Sequence, residues 1–172
     1  MSEILSRPVR AAHVKEAPQR HVVTAGPAEL AGLAAAFGLP RIAMLRGEFT
    51  LAHERGGIIA ADLTMTARVT QTCVVTLEAF ESDIAEIAGL RFVPASRLPE
   101  GEAVELDAET LEGPDEIPYA GETIDLGAAL AEQLALSLDP YPKKPGAALP
   151  EEFSEPPANP FARLAARLPR DE

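Results

Sequence analysis

Tryptophan is absent from this 172-residue chain, cysteine occurs once, and six Phe with two Tyr supply all the aromatic bulk. The single cysteine, Cys73, excludes an internal disulfide framework and any multi-cysteine metal site within the chain. With so few aromatics, Leu, Ile, Val and Ala have to fill the core, and a 47% apolar composition suffices for one domain with an appended tail. No apolar run approaches the ~18 residues that a membrane span requires. The opening residues, Met-Ser-Glu-Ile-Leu-Ser-Arg-Pro, lack the apolar stretch of a secretory signal, so a cytoplasmic location is expected.

Catalytic and cofactor signatures are equally scarce. Gly56-Gly57 lacks the later glycines and the Lys-Ser/Thr pair of a phosphate loop, and no Asp-x-Asp-x-Asp-Gly calcium loop occurs. His13, His21 and His53 show no i, i+4 pairing and no acidic residue at ligand spacing, so each is read as surface or structural. Cys73 shares a strand face with Val69, Val75 and Leu77 and is read as a buried core thiol. No cofactor, metal or enzymatic activity is therefore expected.

Basic charge is missing from one part of the chain. Residues 1–97 carry ten Lys/Arg and ten Asp/Glu, whereas residues 98–172 carry seventeen acids and five bases, so the net charge of −12 resides entirely in the second part. The densest run holds Glu100, Glu102, Glu105, Asp107, Glu109, Glu112, Asp115, Glu116 and Glu122 with no Lys or Arg between them. Such a field repels phosphates and attracts basic protein partners. Numerous carboxylates in loops are otherwise a solvated face, because general acid–base pairs need a shaped, water-poor site.

Periodicity gives the fold class. Residues 1–20 form an arm with little pattern, and His21-Val22-Val23 a short strand. A helix is predicted from Pro27 to Phe37, with Pro27 at its first position and Gly38 and Pro40 ending it. From Ala43 the period becomes two. Leu45, Gly47, Phe49 and Leu51 share a face, Glu54-Arg55-Gly56-Gly57 reads as a hairpin turn, and alternation resumes from Ile59 through Leu77. A run that long must coil or break into two strands. A further strand is expected over Ile84–Val93 with a break near Ala88-Gly89, and another over Ala103–Leu106. Strict alternation implies a half-wet, antiparallel sheet.

Asp125 is a plausible N-cap for a second helix, in which Leu126, Leu130, Leu134 and Leu138 recur and Asp139-Pro140 is the stop. The fold expected is α+β: a twisted antiparallel meander of four to five strands with two packed helices, residues 1–140. A Pro-rich linker follows over 141–158. Asn159-Pro160-Phe161 then opens a short amphipathic helix (159–168) whose apolar face holds Phe161, Leu164 and Leu168. That face could dock on this chain's own core or in a partner's groove.

Several of these pieces occur together in one bacterial family. The run Thr72-Cys73-Val74-Val75-Thr76-Leu77-Glu78-Ala79-Phe80, the helix opened by Ile124-Asp125-Leu126 and closed by Leu138-Asp139-Pro140, and the Asn-Pro-Phe helix at Asn159–Leu168 resemble the YceD family. Its members are also called large ribosomal RNA subunit accumulation proteins. Many members carry Cys-x-x-Cys in the strand region; here Cys73 matches the first position and Thr76 stands at the second. Some carry further cysteines where this chain reads Tyr141-Pro142-Lys143-Lys144-Pro145, so a cysteine-ligated metal is not expected. The resemblance implies a role in ribosome biogenesis, with a basic ribosomal protein as the suggested partner.

Three functions follow as expectations. The first is a non-catalytic assembly factor that binds a basic ribosomal protein or a pre-ribosomal particle. It would use Glu102, Glu105, Asp107, Glu109, Asp115 and Glu116, with Asn159, Phe161, Leu164 and Leu168 as a second contact. The second is a direct RNA-binding module using Arg7, Arg10, Lys15 and Arg20, extended by Arg41, Arg46 and Arg68 on the polar sheet face, although Glu48 and Asp62 interrupt that face and no aromatic platform is interleaved. The third is a Mg²⁺-dependent RNA-processing enzyme using carboxylates between Glu100 and Asp125.

Overall fold

A computed structural model describes residues 4–97 and 113–148. Two long β-hairpins share a central strand. β3 (Arg41–His53), β4 (Ile59–Thr72) and β5 (Ala79–Pro94) form the middle of a five-stranded sheet ordered β2-β3-β4-β5-β6. β2 (Gln19–Thr24) and β6 (Asp115–Tyr119) are its edges, and β6 runs parallel to β5 while every other pair is antiparallel. A second sheet joins β1 (Pro8–Arg10) to β7 (Thr123–Asp125). The helices are α1 (Pro27–Ala36) and α2 (Leu126–Ser137).

Alternation produces the layering. Along β4, Ile59, Ala61, Leu63, Met65, Ala67 and Val69 are buried while Asp62, Thr64, Thr66 and Arg68 face solvent. β3 answers with Leu45, Phe49 and Leu51 beneath the helices, and a bulge between Ile42 and Met44 lets Ile42 join them. The β3–β4 turn needs glycine, since Gly56 and Gly57 sit at φ +77 and +80.

Three expectations are corrected. The sheet is mixed rather than wholly antiparallel, because β6 arrives beside Leu90–Pro94 after the chain has left the sheet at Pro94 through a short turn at Ala95–Arg97. Alternation past Thr72 does not continue the strand: residues 73–78 form a turn closed by Cys73 N–H to Glu78 O (2.9 Å), with Leu77 at φ +58 and 78% exposed. β5 runs unbroken through Ala88-Gly89, where Gly89 pairs with Asp62 and keeps the ladder without needing a side chain. The strand expected at Ala103–Leu106 and the helix at 159–168 lie outside the described residues.

The N-terminal segment is built into the fold. Leu5 is fully buried, β1 pairs with β7, and Arg7 O accepts from Leu126 N at 3.1 Å. α2 is consequently covered on several sides: Gly127, Ala129, Ala131 and Gln133 are buried along with Leu126, Leu130 and Leu134. Where α2 crosses β3, a Cβ built on Gly47 would come within 2.6 Å of Leu130 Cδ1. Gly47→Ala should therefore cost about 1–3 kcal/mol through overpacking. Urea denaturation checks this, and a variant as stable as the parent would contradict the close approach.

Candidate docking surface

α2 and the N-terminal segment are joined by one carboxylate. Asp125 caps α2 as the sequence suggested: Oδ1 accepts from Gly127 N (2.9 Å), Ala128 N (3.1 Å) and Arg7 N (2.8 Å), and Oδ2 from Ser6 Oγ (2.6 Å). Burial pushes its pKa up, but this set of donors outweighs burial and holds it below the ordinary value. Arg7 closes the other side with a bidentate ion pair to Glu29 (2.8 and 2.9 Å), whose Oε2 also accepts from Gly26 N at the start of α1. Arg7, singled out for RNA contact, is thus spent on tying the N-terminal segment to α1.

The other proposed RNA contacts are dispersed. Arg20 pairs with Glu48, which Arg46 also approaches at 3.7 Å, and Arg68 pairs with Asp83 at 2.7 Å. Arg10 and Lys15 are exposed, at the end of β1 and in the loop before β2. The polar sheet face therefore carries compensated charge rather than a basic stripe. His13 is exposed, and His21 and His53 are half-buried. Among the described residues no three His, Cys, Asp or Glu side chains approach closely enough to hold a metal ion, and no helix is long and apolar enough to cross a membrane.

Of the acidic candidates, Asp115 and Glu116 stand exposed on β6, the sheet edge. Asp115 Oδ2 accepts from Gln133 Nε2 at 3.4 Å, and Glu116 lies 3.8 Å from Arg91, which also binds Glu54 at 2.8 Å. Glu102, Glu105, Asp107, Glu109, Asn159, Phe161, Leu164 and Leu168 lie outside the described residues. The structure adds acids that composition concealed. Glu81, Asp83 and Glu86 are exposed on β5 beside that same edge, with no Lys or Arg between Ala79 and Gly89. They were missed because residues 1–97 are neutral in sum; strand pairing sets β5 apart from the arginines of β2 and β3, while Arg68 of β4 compensates Asp83 alone.

Cys73 is fully buried, as expected, but its setting is unusual for a core thiol. Its sulfur accepts from the backbone N–H of Thr76 (3.5 Å) and of Lys144 (3.3 Å). The Thr76 hydroxyl first, then the backbone amides of Lys144, Thr76 and Val75, draw the thiol down to about 7 against the opposing effect of burial. The 141–145 segment packs on the same turn, with Val74 N donating to Pro142 O (2.9 Å) and Lys144 Nζ pairing with Glu78 (2.8 Å). One thiol facing an ammonium–carboxylate pair does not fit a metal. An ultraviolet titration of the folded chain should show the thiolate appearing with a midpoint near pH 7. Because the folded value lies below the unfolded one, this thiol adds stability as pH rises from about 7 to about 9, and Cys73→Ser should abolish that rise. A midpoint near the ordinary value would refute the combined effect of the Thr76 hydroxyl and these amides.

Among the cavities, an open groove of about 580 Å³ between α1 and β3 is lined by Leu30, Ala34, Leu39 and Ile42, with Arg41 at its rim. Its lining side chains are apolar except that of Arg41, so it offers no pair of groups for acid–base work.

No curated protein and no solved structure matches the chain. The family model described as large ribosomal RNA subunit accumulation protein YceD matches residues 61–165, from β4 through β5, β6, β7 and α2 and on beyond the described residues. The match covers more than half of the chain, and it includes the Cys73 turn, the acidic edge and the capped helix. The chain belongs to the YceD family.

Proposed function

We propose that this protein is a non-catalytic ribosome biogenesis factor, acting in large-subunit ribosomal RNA accumulation by binding a basic ribosomal protein or a precursor particle through its acidic surface. One observation carries the reading. Beside the compensated Arg68–Asp83 pair, the sheet edge exposes Glu81, Glu86, Asp115 and Glu116, and the acid-rich residues 98–112 lie between β5 and β6 in sequence. A ribosomal protein rich in Lys and Arg would meet this field before it met the fold. Opposite fields raise association rates by about 10-fold or more and weaken with salt.

Arg7 and Arg20 are occupied by Glu29 and Glu48, which favours a protein partner over direct RNA contact. Affinity purification of the full chain from extract, at low and at moderate salt, tests the proposal. Basic large-subunit proteins should co-purify at low salt and diminish at moderate salt. Recovery of no ribosomal component in either condition removes the proposal.

A further inference from the structure

The groove of about 580 Å³ between α1 and β3 leads toward the place where the chain leaves the fold. Leu39 and Pro40 line it and also line a second depression of about 370 Å³, which continues past Phe37 and Val74 to Leu138 and Pro142. Pro142 is held there by Val74 N–H donating to its carbonyl (2.9 Å), and Lys144 by its pair with Glu78. Within the groove Leu30 and Leu39 are only half-buried, and Ala31 and Ala35 are exposed. Side chains that small let a second helix approach α1 closely. Arg41 at the rim has no acidic partner among the described residues.

The sequence after the fold supplies a matching piece. At a spacing of 3.6 residues, Phe161, Leu164, Ala165 and Leu168 share one face, and Arg163, Arg167 and Arg170 fall on the other. At a spacing of two, Phe161 would instead share a face with Arg163 and Arg167, and Ala, Leu and Arg are strong helix formers. The pattern therefore suits an apolar groove and not the β5 edge, which pairs outward only over Leu90–Pro94 among the described residues. Acids flank the apolar stripe on both sides, Glu151, Glu152 and Glu155 before it and Asp171 and Glu172 after it, and either set can meet Arg41.

Reach favours the same occupant. Residues 149–158 span about 33–36 Å when stretched, more than twice the ~15 Å length of α1. A connection that short sets an effective concentration of about millimolar, which favours the chain's own groove over that of a second copy. Residues 98–112 cannot compete. They start from Arg97, whose guanidinium lies against Gly56, and rejoin before the Asp115–Leu90 pair, whereas the groove lies at the Arg41 end of β3. Running to Arg41 and back would take about 70 Å at ~3.3 Å per residue. Fully stretched, that segment reaches about 53–58 Å.

We infer that residues 159–168 pack as a helix in the α1–β3 groove of their own chain, seating Phe161, Leu164 and Leu168 there. This goes beyond the function proposed above and holds whether or not a basic partner binds. It withdraws those three side chains from any partner and turns Arg163 and Arg167 to solvent.

Engineered disulfides in the full chain test it. Ala31 is an exposed groove residue, Ala165 belongs to the apolar stripe, and Ala166 lies across the helix from it. Under oxidised glutathione, Ala31→Cys with Ala165→Cys should close an intramolecular bond about tenfold faster than Ala31→Cys with Ala166→Cys, at a rate independent of protein concentration. A chain carrying Ala165→Cys alone controls for Cys73, which is fully buried. Equal rates for the two pairs, bonding of Ala165→Cys to Cys73, or faster closure onto Glu81→Cys at the β5 edge would overturn the inference. Linked dimers in place of the intramolecular bond would assign the groove to a second copy and overturn it too. A second measurement needs no added cysteine. Leu164→Asp should speed hydrogen exchange across α1 about tenfold by uncovering it, and unchanged exchange there would contradict the docking.

Discussion

Asp125→Ala should lower the stability of the fold by about 2–4 kcal/mol, the sum of a lost N-cap worth ~1 kcal/mol and of Ser6 and Arg7 donors left without their charged acceptor. Few single carboxylates join so much. Asp125 ends β7, caps α2, and receives two donors from the segment that carries the buried Leu5 into the core. Thermal unfolding would show a fall of about 5–15 °C for a domain of this size. Asp125→Asn keeps an acceptor oxygen without the charge and should lose roughly half as much.

The pH dependence has the same origin. Donors hold the folded pKa of Asp125 below its ordinary value of 3.8, so its stabilisation is complete above about pH 4 and drains away as pH falls through the folded value. Glu29, lowered by Arg7 and by the Gly26 amide, behaves likewise below its ordinary 4.5. The parent chain should therefore lose stability below about pH 4.5 more steeply than Asp125→Ala does. Parallel acid limbs for the two proteins would show that the donors do not act on this carboxylate.

The second large effect concerns association. Converting Glu102, Glu105, Asp107, Glu109, Asp115 and Glu116 together to their amides removes half of the net charge of −12 while preserving size. The association rate with a basic ribosomal partner should fall by about 10- to 100-fold at low salt and converge on the parent's rate as salt screens both. The fold should be indifferent to the change, because the two of these acids that are described stand exposed on an edge strand. Stopped-flow or surface-binding kinetics would measure it. Equal rates at low salt would remove the acidic field from the mechanism.

What could be read in the sequence was whatever local physics determines. The Ile59–Val69 alternation placed six side chains in the core because a strand with one wet face permits no other phase. Pro27, Gly56-Gly57 and Asp125 marked a helix start, a turn and a cap through their own backbone chemistry. Long-range partners were not legible. Pro8-Val9-Arg10 has no strand signature of its own and becomes β1 only because β7 is beside it. The parallel position of β6 depends on where residues 98–112 return the chain, which no periodicity encodes. The turn at 73–78 kept an alternating pattern that its Leu77, at positive φ, does not obey. Charge shows the same division. The acidic run near Glu105 was visible as composition, whereas Glu81, Asp83 and Glu86 became a surface feature only when the strand order set β5 beyond β4.

Co-sedimentation on a sucrose gradient tests most directly whether an acidic surface recruits basic ribosomal cargo. Extract containing the full chain would be run at low salt, at moderate salt, and at low salt beside the six-amide variant. The chain should travel with large-subunit precursor particles at low salt and return to the top of the gradient in the other two runs. A chain that stays at the top throughout, or that travels with large-subunit RNA stripped of its proteins, would contradict the account.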